Sequence, residues 1–394
     1  MLAELGLTVA RQIPLSAIPH IMSGAYKVFP GVIRDGGGRI VMHLAGTGTV
    51  SALAGLVPGL GVISDLVQNV QLWKLAKDVE QVQSTVETVL SISAAGASMS
   101  GLGMVTSIAG FAYMSRRMDQ IDKKLDVLTR DVKEIRELIE SSQRSKLHFA
   151  INNLRHAEQA TDEKSRSDLL IQSKREFNIL TNQYKQQWSR CRTPREIEAI
   201  DDLYTLAMIG HATVCSNLGM MSEAALDLRS NYMDWVRQAR MHARAVLFDN
   251  RAEQILSAEY LDLLPARKLT ELLDFVHDSN RGIDWIDDLR VEAAKTYSPL
   301  ELLPVIRAQL GSMGSKSSLP LRVETAQTLL SRASVLEATT AHFDFLNEKK
   351  ISSSAFQQQL EAERSQSGAD MICVYAEDVK PALALPPAGD SDVD

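Results

Sequence analysis

The chain has 394 residues and a formal net charge of −7, and it carries no long basic stripe, which argues against a nucleic-acid partner. Its three cysteines, Cys191, Cys215 and Cys373, lie far apart and form no CxxC pair, which predicts reduced thiols in a cytoplasmic protein. Glu4 stands where a secretory signal peptide carries lysine or arginine, so secretion by that route is not expected.

Residues 1–45 are interpreted as an N-terminal arm with a β-hairpin. Short runs rich in valine and isoleucine flank the turn sequence Asp35-Gly36-Gly37-Gly38. Such runs around a glycine cluster are typical of two antiparallel strands joined by a turn. The alternative is an irregular arm.

Residues 46–117 are interpreted as an apolar, glycine-rich helical hairpin. Its second half, Thr88–Ser115, has 28 residues without a charge. As a helix it would be about 42 Å long, enough for a tilted crossing of a ~30 Å hydrocarbon core. Seventeen of these residues are glycine, alanine, serine or threonine, so insertion into a bilayer is expected to be marginal.

Small residues four apart in this run let two helix backbones approach closely, in lipid or in a packed protein. The aromatic residues near its end would lie at the membrane interface, with Arg116 and Arg117 as interface anchors on the cytoplasmic side. The residues predicted to insert or to pack closely are Ser93, Ala97, Gly101, Gly103, Ser107, Ile108, Phe111 and Tyr113.

Residues 118–190 are interpreted as a coiled-coil helix followed by long helices. An apolar seam repeats with alternating spacings of three and four and has charged residues around it. Its partner is in the same chain (residues 72–86 are one candidate), in a second copy, or in another protein. The seam consists of Met118, Ile121, Leu125, Leu128, Val132, Ile135 and Ile139.

Residues 191–365 are interpreted as a helical bundle, and residues 366–394 as a short strand with a disordered acidic tail. Thr193 and Pro194 predict a helix start. The stretch AMIGHATVCSNLGMMSEAALDLRSNY resembles one helix pair of the tetratricopeptide type. The predicted helices cover 142–160, 162–190, 222–248, 265–277, 283–297, 299–310 and 321–348, and one more helix begins at 194. The fold class is therefore mainly α.

The sequence shows no constellation typical of an enzyme, so no catalytic residue, metal site or cofactor is predicted. Asp201-Asp202 and Asp287-Asp288 are interpreted as carboxylates on helix surfaces. His211 and Cys215 lie four apart on one helix face, but no carboxylate ligand or second histidine is near them in the sequence. They are interpreted as a buried core pair.

The order of an apolar pair of segments, a heptad helix and a helical bundle resembles α-helical pore-forming proteins over about residues 40–190. That resemblance implies a hairpin sheltered by the bundle and released by a trigger. The expected function is conditional membrane insertion or pore formation without enzymatic activity, for example by an intracellular bacterial effector. The alternative is a soluble helical scaffold or regulatory binding protein whose apolar hairpin is a buried core.

The expected partners are membrane lipid and, through the heptad helix, another protein or a second copy, which would make a homo-oligomer. The expected location is the cytoplasm and the inner face of the membrane.

Overall fold

The chain is mainly α, as predicted, with one antiparallel β-sheet. The computed structural model describes residues 7–10, 17, 20–21, 25–29, 32–46, 111–131, 141–248, 264, 266–296, 319–367 and 371–376. Within these ranges nine helices are present: α1 (Phe111–Asp131), α2 (Ser141–Gln159), α3 (Glu163–Trp188), α4 (Pro194–Asn217), α5 (Met221–Phe248), α6 (Ala266–His277), α7 (Asp284–Thr296), α8 (Leu319–Lys349) and α9 (Ser353–Ser367).

The predicted bounds of α2, α3, α5, α6, α7 and α8 agree with the structure to within two residues. The helix predicted over 299–310 lies outside the described residues, and so does the predicted acidic tail from residue 377 onward.

Helix α4 is the centre of the described bundle. It packs against α1, α2, α3, α5, α8 and α9, and 19 of its 24 residues are buried. A helix that is apolar on all sides is typical of such a position. Its start is a capping box, in which Thr193 Oγ1 accepts from the Glu196 N–H and Glu196 Oε2 accepts from the Thr193 N–H.

The turn between α4 and α5 reverses the chain within four residues. Gly219 has φ of +79°, a left-handed conformation that glycine adopts without strain, and the Met220 N–H donates to Cys215 O. These two helices have 24 and 28 residues, more than a repeat of about 34 residues can hold. The tetratricopeptide resemblance therefore does not extend beyond the turn.

The sheet has five antiparallel strands in the order β1-β5-β4-β3-β2. They are β1 (Leu7–Ala10), β2 (Lys27–Phe29), β3 (Val32–Arg34), β4 (Ile40–Gly46) and β5 (Met371–Ala376). The predicted hairpin is β3 and β4, and Asp35 Oδ1 closes its turn by accepting from the N–H groups of Gly37 and Arg39.

The C-terminal strand β5 lies between β1 and β4, so the sheet joins two ends of the described chain. Sequence reasoning left this pairing out, because β1 and β5 are separated by more than 360 residues and only the folded chain brings them together. The N-terminal strands are therefore part of a shared sheet and not an independent arm.

The sheet is attached to α8 by one ion pair and one cluster of rings. Arg34 Nη2 lies 2.6 Å from Glu337 Oε1. His43 Nε2 lies 3.3 Å from His342 Nδ1, and the rings of Phe345 and Phe356 pack on His43. Both histidines are fully enclosed, and burial lowers the pKa of each imidazole, that of His342 to about 4.

Most of the predicted apolar hairpin, from residue 47 to residue 110, lies outside the described residues. The run that ends at Ser115 enters α1 at Phe111, and α1 continues without a break across the predicted boundary at 117. Among the helices that are described, none combines the length and the apolar character that a bilayer crossing requires.

Candidate functional site

Two adjacent carboxylates, Asp201 and Asp202, lie at the centre of the bundle on α4. The prediction that they lie on a helix surface is wrong, since their exposed fractions are 1% and 3%. The reason is that helices pack around α4 on all sides, so a carboxylate there has no path to water. Asp287 and Asp288 on α7 are exposed, as predicted.

Arg332 of α8 is the counter-ion of both buried carboxylates. Its Nη2 donates to Asp202 Oδ1 at 2.6 Å, and its Nε lies 3.1 Å from Asp201 Oδ2. Its Nη1 donates to Thr205 Oγ1, and Trp235 Nε1 of α5 donates to Asp201 Oδ1 at 2.8 Å. A planar guanidinium with several fixed donors suits such a two-sided contact better than an ammonium group does.

Helix α1 inserts a second cation into this network. Lys124 Nζ lies 3.2 Å from Asp202 Oδ2 and 3.4 Å from Glu198 Oε2. Thr325 Oγ1 of α8 donates to Glu198 Oε1 at 3.1 Å. Three carboxylates and two cations therefore join α1, α4 and α8, with Trp235 adding α5. We call these groups the buried charge network.

The network is stabilised by pairing, which opposes the effect of burial. Burial raises the pKa of Asp201, although Arg332 opposes that shift. For Lys124 burial alone would lower the pKa, but the carboxylates of Asp202 and Glu198 outweigh it, and the pKa is raised. Removing one partner from such a set leaves an uncompensated charge, which is strongly destabilising.

A second set of ion pairs holds α1 to α2 near the surface. Arg144 Nη2 lies 2.7 Å from Asp122 Oδ1 and 3.1 Å from Asp126 Oδ1. His148 Nε2 lies 2.6 Å from Asp122 Oδ2. These groups are partly exposed, so they add orientation more than stability.

The described part of the predicted seam faces the same chain. Met118, Ile121 and Leu125 are buried at 1% exposure, and α1 packs on α2 and α4. For these three positions the partner is intramolecular. The side chain of Leu128, the candidate partner 72–86, and Val132, Ile135 and Ile139 lie outside what the structure describes.

The residues predicted to insert or to pack closely are placed only in part. Phe111, Tyr113, Arg116 and Arg117 belong to the first turns of α1, where the structure describes the backbone alone. This restriction concerns these four side chains, since Met114 in the same turns is buried, and the roles predicted for the four stay predictions. Six further residues lie outside the described residues: Ser93, Ala97, Gly101, Gly103, Ser107 and Ile108.

His211 and Cys215 form a buried pair on α4, as interpreted from their spacing, with Nε2 and Sγ 3.7 Å apart. The expectation that no carboxylate lies near them is wrong, because the turn after α4 brings Glu223 Oε1 to 3.9 Å from Sγ. Burial raises the pKa of the Cys215 thiol to about 12 and lowers the pKa of His211. A thiol of this kind is a poor nucleophile.

Arg332, Glu198 and Trp235 of the network were not predicted from the sequence, although for Arg332 the sequence contained a signal. This arginine occupies a position in the row Leu329, Arg332, Leu336 and Thr339, whose members are spaced three or four apart and are all buried on α8. A charged residue within such an apolar row predicts a buried counter-ion. Its partner could not be named without the fold.

Comparison of the chain with protein-family models, with curated proteins and with solved structures finds no significant match.

Proposed function

We propose that the chain is a non-enzymatic, membrane-active helical protein. The apolar segment 47–110 is connected to the sheet at its N-terminal end and to α1 of the bundle at its C-terminal end. The segment enters lipid when one of these attachments is loosened. Insertion would take place at the inner face of the membrane, and pore formation would require several copies of the chain. The helical fold is the established part of this proposal, and the membrane activity is its hypothesis.

The observation that carries the proposal is the position of α4. The alternative function, a soluble scaffold or regulatory binding protein, requires an apolar hairpin at the centre of the bundle. That centre is held by α4, which contacts six other helices and is buried over 19 of its 24 residues. The described helices therefore already surround α4, which favours a role for segment 47–110 other than forming the centre of the bundle.

The attachment of the two ends supports a controlled release. Strand β4 ends at Gly46 inside the sheet, which is fastened to α8 through His43 and Arg34. Helix α1 begins at Phe111 and is fastened through Lys124 to the buried charge network. Loosening the contact of the sheet with α8 would free one end of the segment, while α1 would stay packed on α2 and α4.

Dye leakage from anionic liposomes tests the proposal, with the full chain at pH 7.4 and at pH 5. The measurement at pH 5 is included because burial lowers the pKa of His43 and His342, so protonation at acidic pH favours states in which their contact is broken. We expect leakage from the wild type and from Ile108→Leu, and loss of leakage in Ile108→Asp. A charge at the bilayer centre is unfavourable by about 3 kcal/mol or more.

The three proteins must first show the same cooperative unfolding in urea, so that a loss of leakage is not a loss of fold. If Ile108→Asp releases dye as well as the wild type, insertion of this segment is wrong. If none of them binds or permeabilises the liposomes at either pH, the scaffold function is favoured.

A further inference from the structure

We propose that His211, Cys215 and Glu223 form a Zn²⁺ site at the turn between α4 and α5. His211 and Cys215 lie one helical turn apart on α4, and Glu223 lies in the first turn of α5. Their candidate ligand atoms all lie within 4.8 Å of one another. This inference is independent of the proposed membrane activity.

The distances fit a tetrahedral zinc centre with little rearrangement. Zn–S and Zn–N bonds of about 2.3 and 2.0 Å place neighbouring ligand atoms about 3.4–3.6 Å apart. The distance from His211 Nε2 to Cys215 Sγ is 3.7 Å, and that from Sγ to Glu223 Oε1 is 3.9 Å. The Glu223 side chain is 36% exposed, so it can rotate to close the remaining gap.

Asp227 supplies the outer contact that zinc-bound histidines usually have. Its Oδ2 lies 3.8 Å from His211 Nδ1, the ring nitrogen opposite the proposed ligand atom. That separation is longer than a hydrogen bond, but the Asp227 side chain is 46% exposed and can rotate toward the ring. A hydrogen bond formed in this way would fix the ring orientation and keep the proton on Nδ1, which leaves the Nε2 lone pair for the metal. Asp227 follows Glu223 by one helical turn on α5, so one helix face provides both carboxylates.

The local charges balance when zinc is bound. Lys174 Nζ of α3 lies 2.5 Å from Glu223 Oε1. Zn²⁺ and this ammonium group would carry three positive charges, against three negative charges on the Cys215 thiolate, Glu223 and Asp227. Binding replaces the thiol proton of Cys215 by the metal.

The choice of metal follows from the ligands and from burial. A thiolate, an imidazole and a carboxylate together suit Zn²⁺, whereas hard cations such as Mg²⁺ and Ca²⁺ prefer oxygen alone. Cys215 and His211 are 0% and 5% exposed, so the metal would enter past Glu223. Water is the fourth ligand in this arrangement.

Titration of the chelator-treated full chain with Co²⁺ tests the site, because a cobalt–thiolate bond gives a charge-transfer absorption band. We expect one Co²⁺ per chain, with that band, and displacement by Zn²⁺. Cys191→Ser is the matched control, since Cys191 is also buried and its Sγ contacts Gln187 O instead. It should keep the band, and Cys215→Ser should lose it.

Two variants keep the test decisive if Cys215→Ser fails to fold. Glu223→Gln changes a half-exposed group and should weaken Zn²⁺ binding at least tenfold in competition with a chromophoric chelator. Asp227→Asn should weaken it about 10- to 100-fold. Absence of a thiolate band in the wild type, a band that persists in Cys215→Ser, or unchanged affinity in both carboxylate variants would overturn the proposal.

Discussion

At Gly210 the absence of a side chain decides how closely two helices pack. A Cβ atom there would lie 2.5 Å from Phe177 Cε1, and the Phe177 ring is fully buried. The close contact of α3 with α4 therefore requires glycine at this point.

Gly210→Ala is expected to destabilise the protein by about 1–3 kcal/mol, because overpacking forces the ring or a helix to shift. The midpoint of urea unfolding measures the change. Gly36→Ala is the matched control: its added methyl group meets no atom within 4 Å, so it should stay within about 0.5 kcal/mol of the wild type. Equal effects of the two substitutions would contradict this account of the packing.

At the scale of helices, Arg332 joins α8 to α4 by ion pairs. One of its partners, Asp202, also binds Lys124 of α1. The Arg332 side chain is 2% exposed and contacts both Asp201 and Asp202. Asp202 therefore contacts Arg332 of α8 and Lys124 of α1 at the same time.

Arg332→Leu should lower the free energy of unfolding by about 3–5 kcal/mol, since two buried carboxylates would lose their shared counter-ion. The free energy of unfolding of Arg332→Lys should lie between those of the wild type and Arg332→Leu, because an ammonium group keeps the charge but not the planar set of donors. The surface pair of Arg290 and Asp287 provides the control. Arg290→Leu should change stability by less than about 1 kcal/mol, and a similarly small change for Arg332→Leu would refute the role of the network.

At the scale of the whole molecule, the contact of His43 with His342 fastens the sheet to the bundle. Burial, with the neighbouring imidazole adding to it for His43, lowers the pKa of both histidines. The ordinary value near 6.5 applies to the unfolded chain. Between about pH 6.5 and about pH 4 these two histidines bind more protons in the unfolded chain than in the folded one. The free energy of unfolding therefore decreases as pH falls through this range.

His342→Gln should flatten this part of the stability profile relative to the wild type. Urea unfolding at a series of pH values measures it, and hydrogen exchange of the β4 amides reports whether the sheet is loosened first. His156→Gln, at an exposed position on α2, should keep the wild-type slope. An identical slope in all three proteins would show that the histidine pair does not contribute.

Most of the described helices and the hairpin could be predicted from the sequence, since these depend on neighbours a few residues apart. Heptad spacing located α1, Thr193 with Glu196 located the start of α4, and the glycines after Asp35 located the turn between β3 and β4. Local hydrogen bonds and apolar periodicity are properties of short stretches, so they can be read before the fold is known.

Which distant residues contact one another could not be predicted from the sequence and became known from the fold. It buried Asp201 and Asp202 against Arg332, brought Glu223 to Cys215 and joined β5 to β1. It also turned the three described residues of the α1 seam toward α2 and α4. Each of these contacts depends on the direction in which whole helices or strands pack. That direction is set by the summed burial of many side chains, and no short stretch of the sequence contains it.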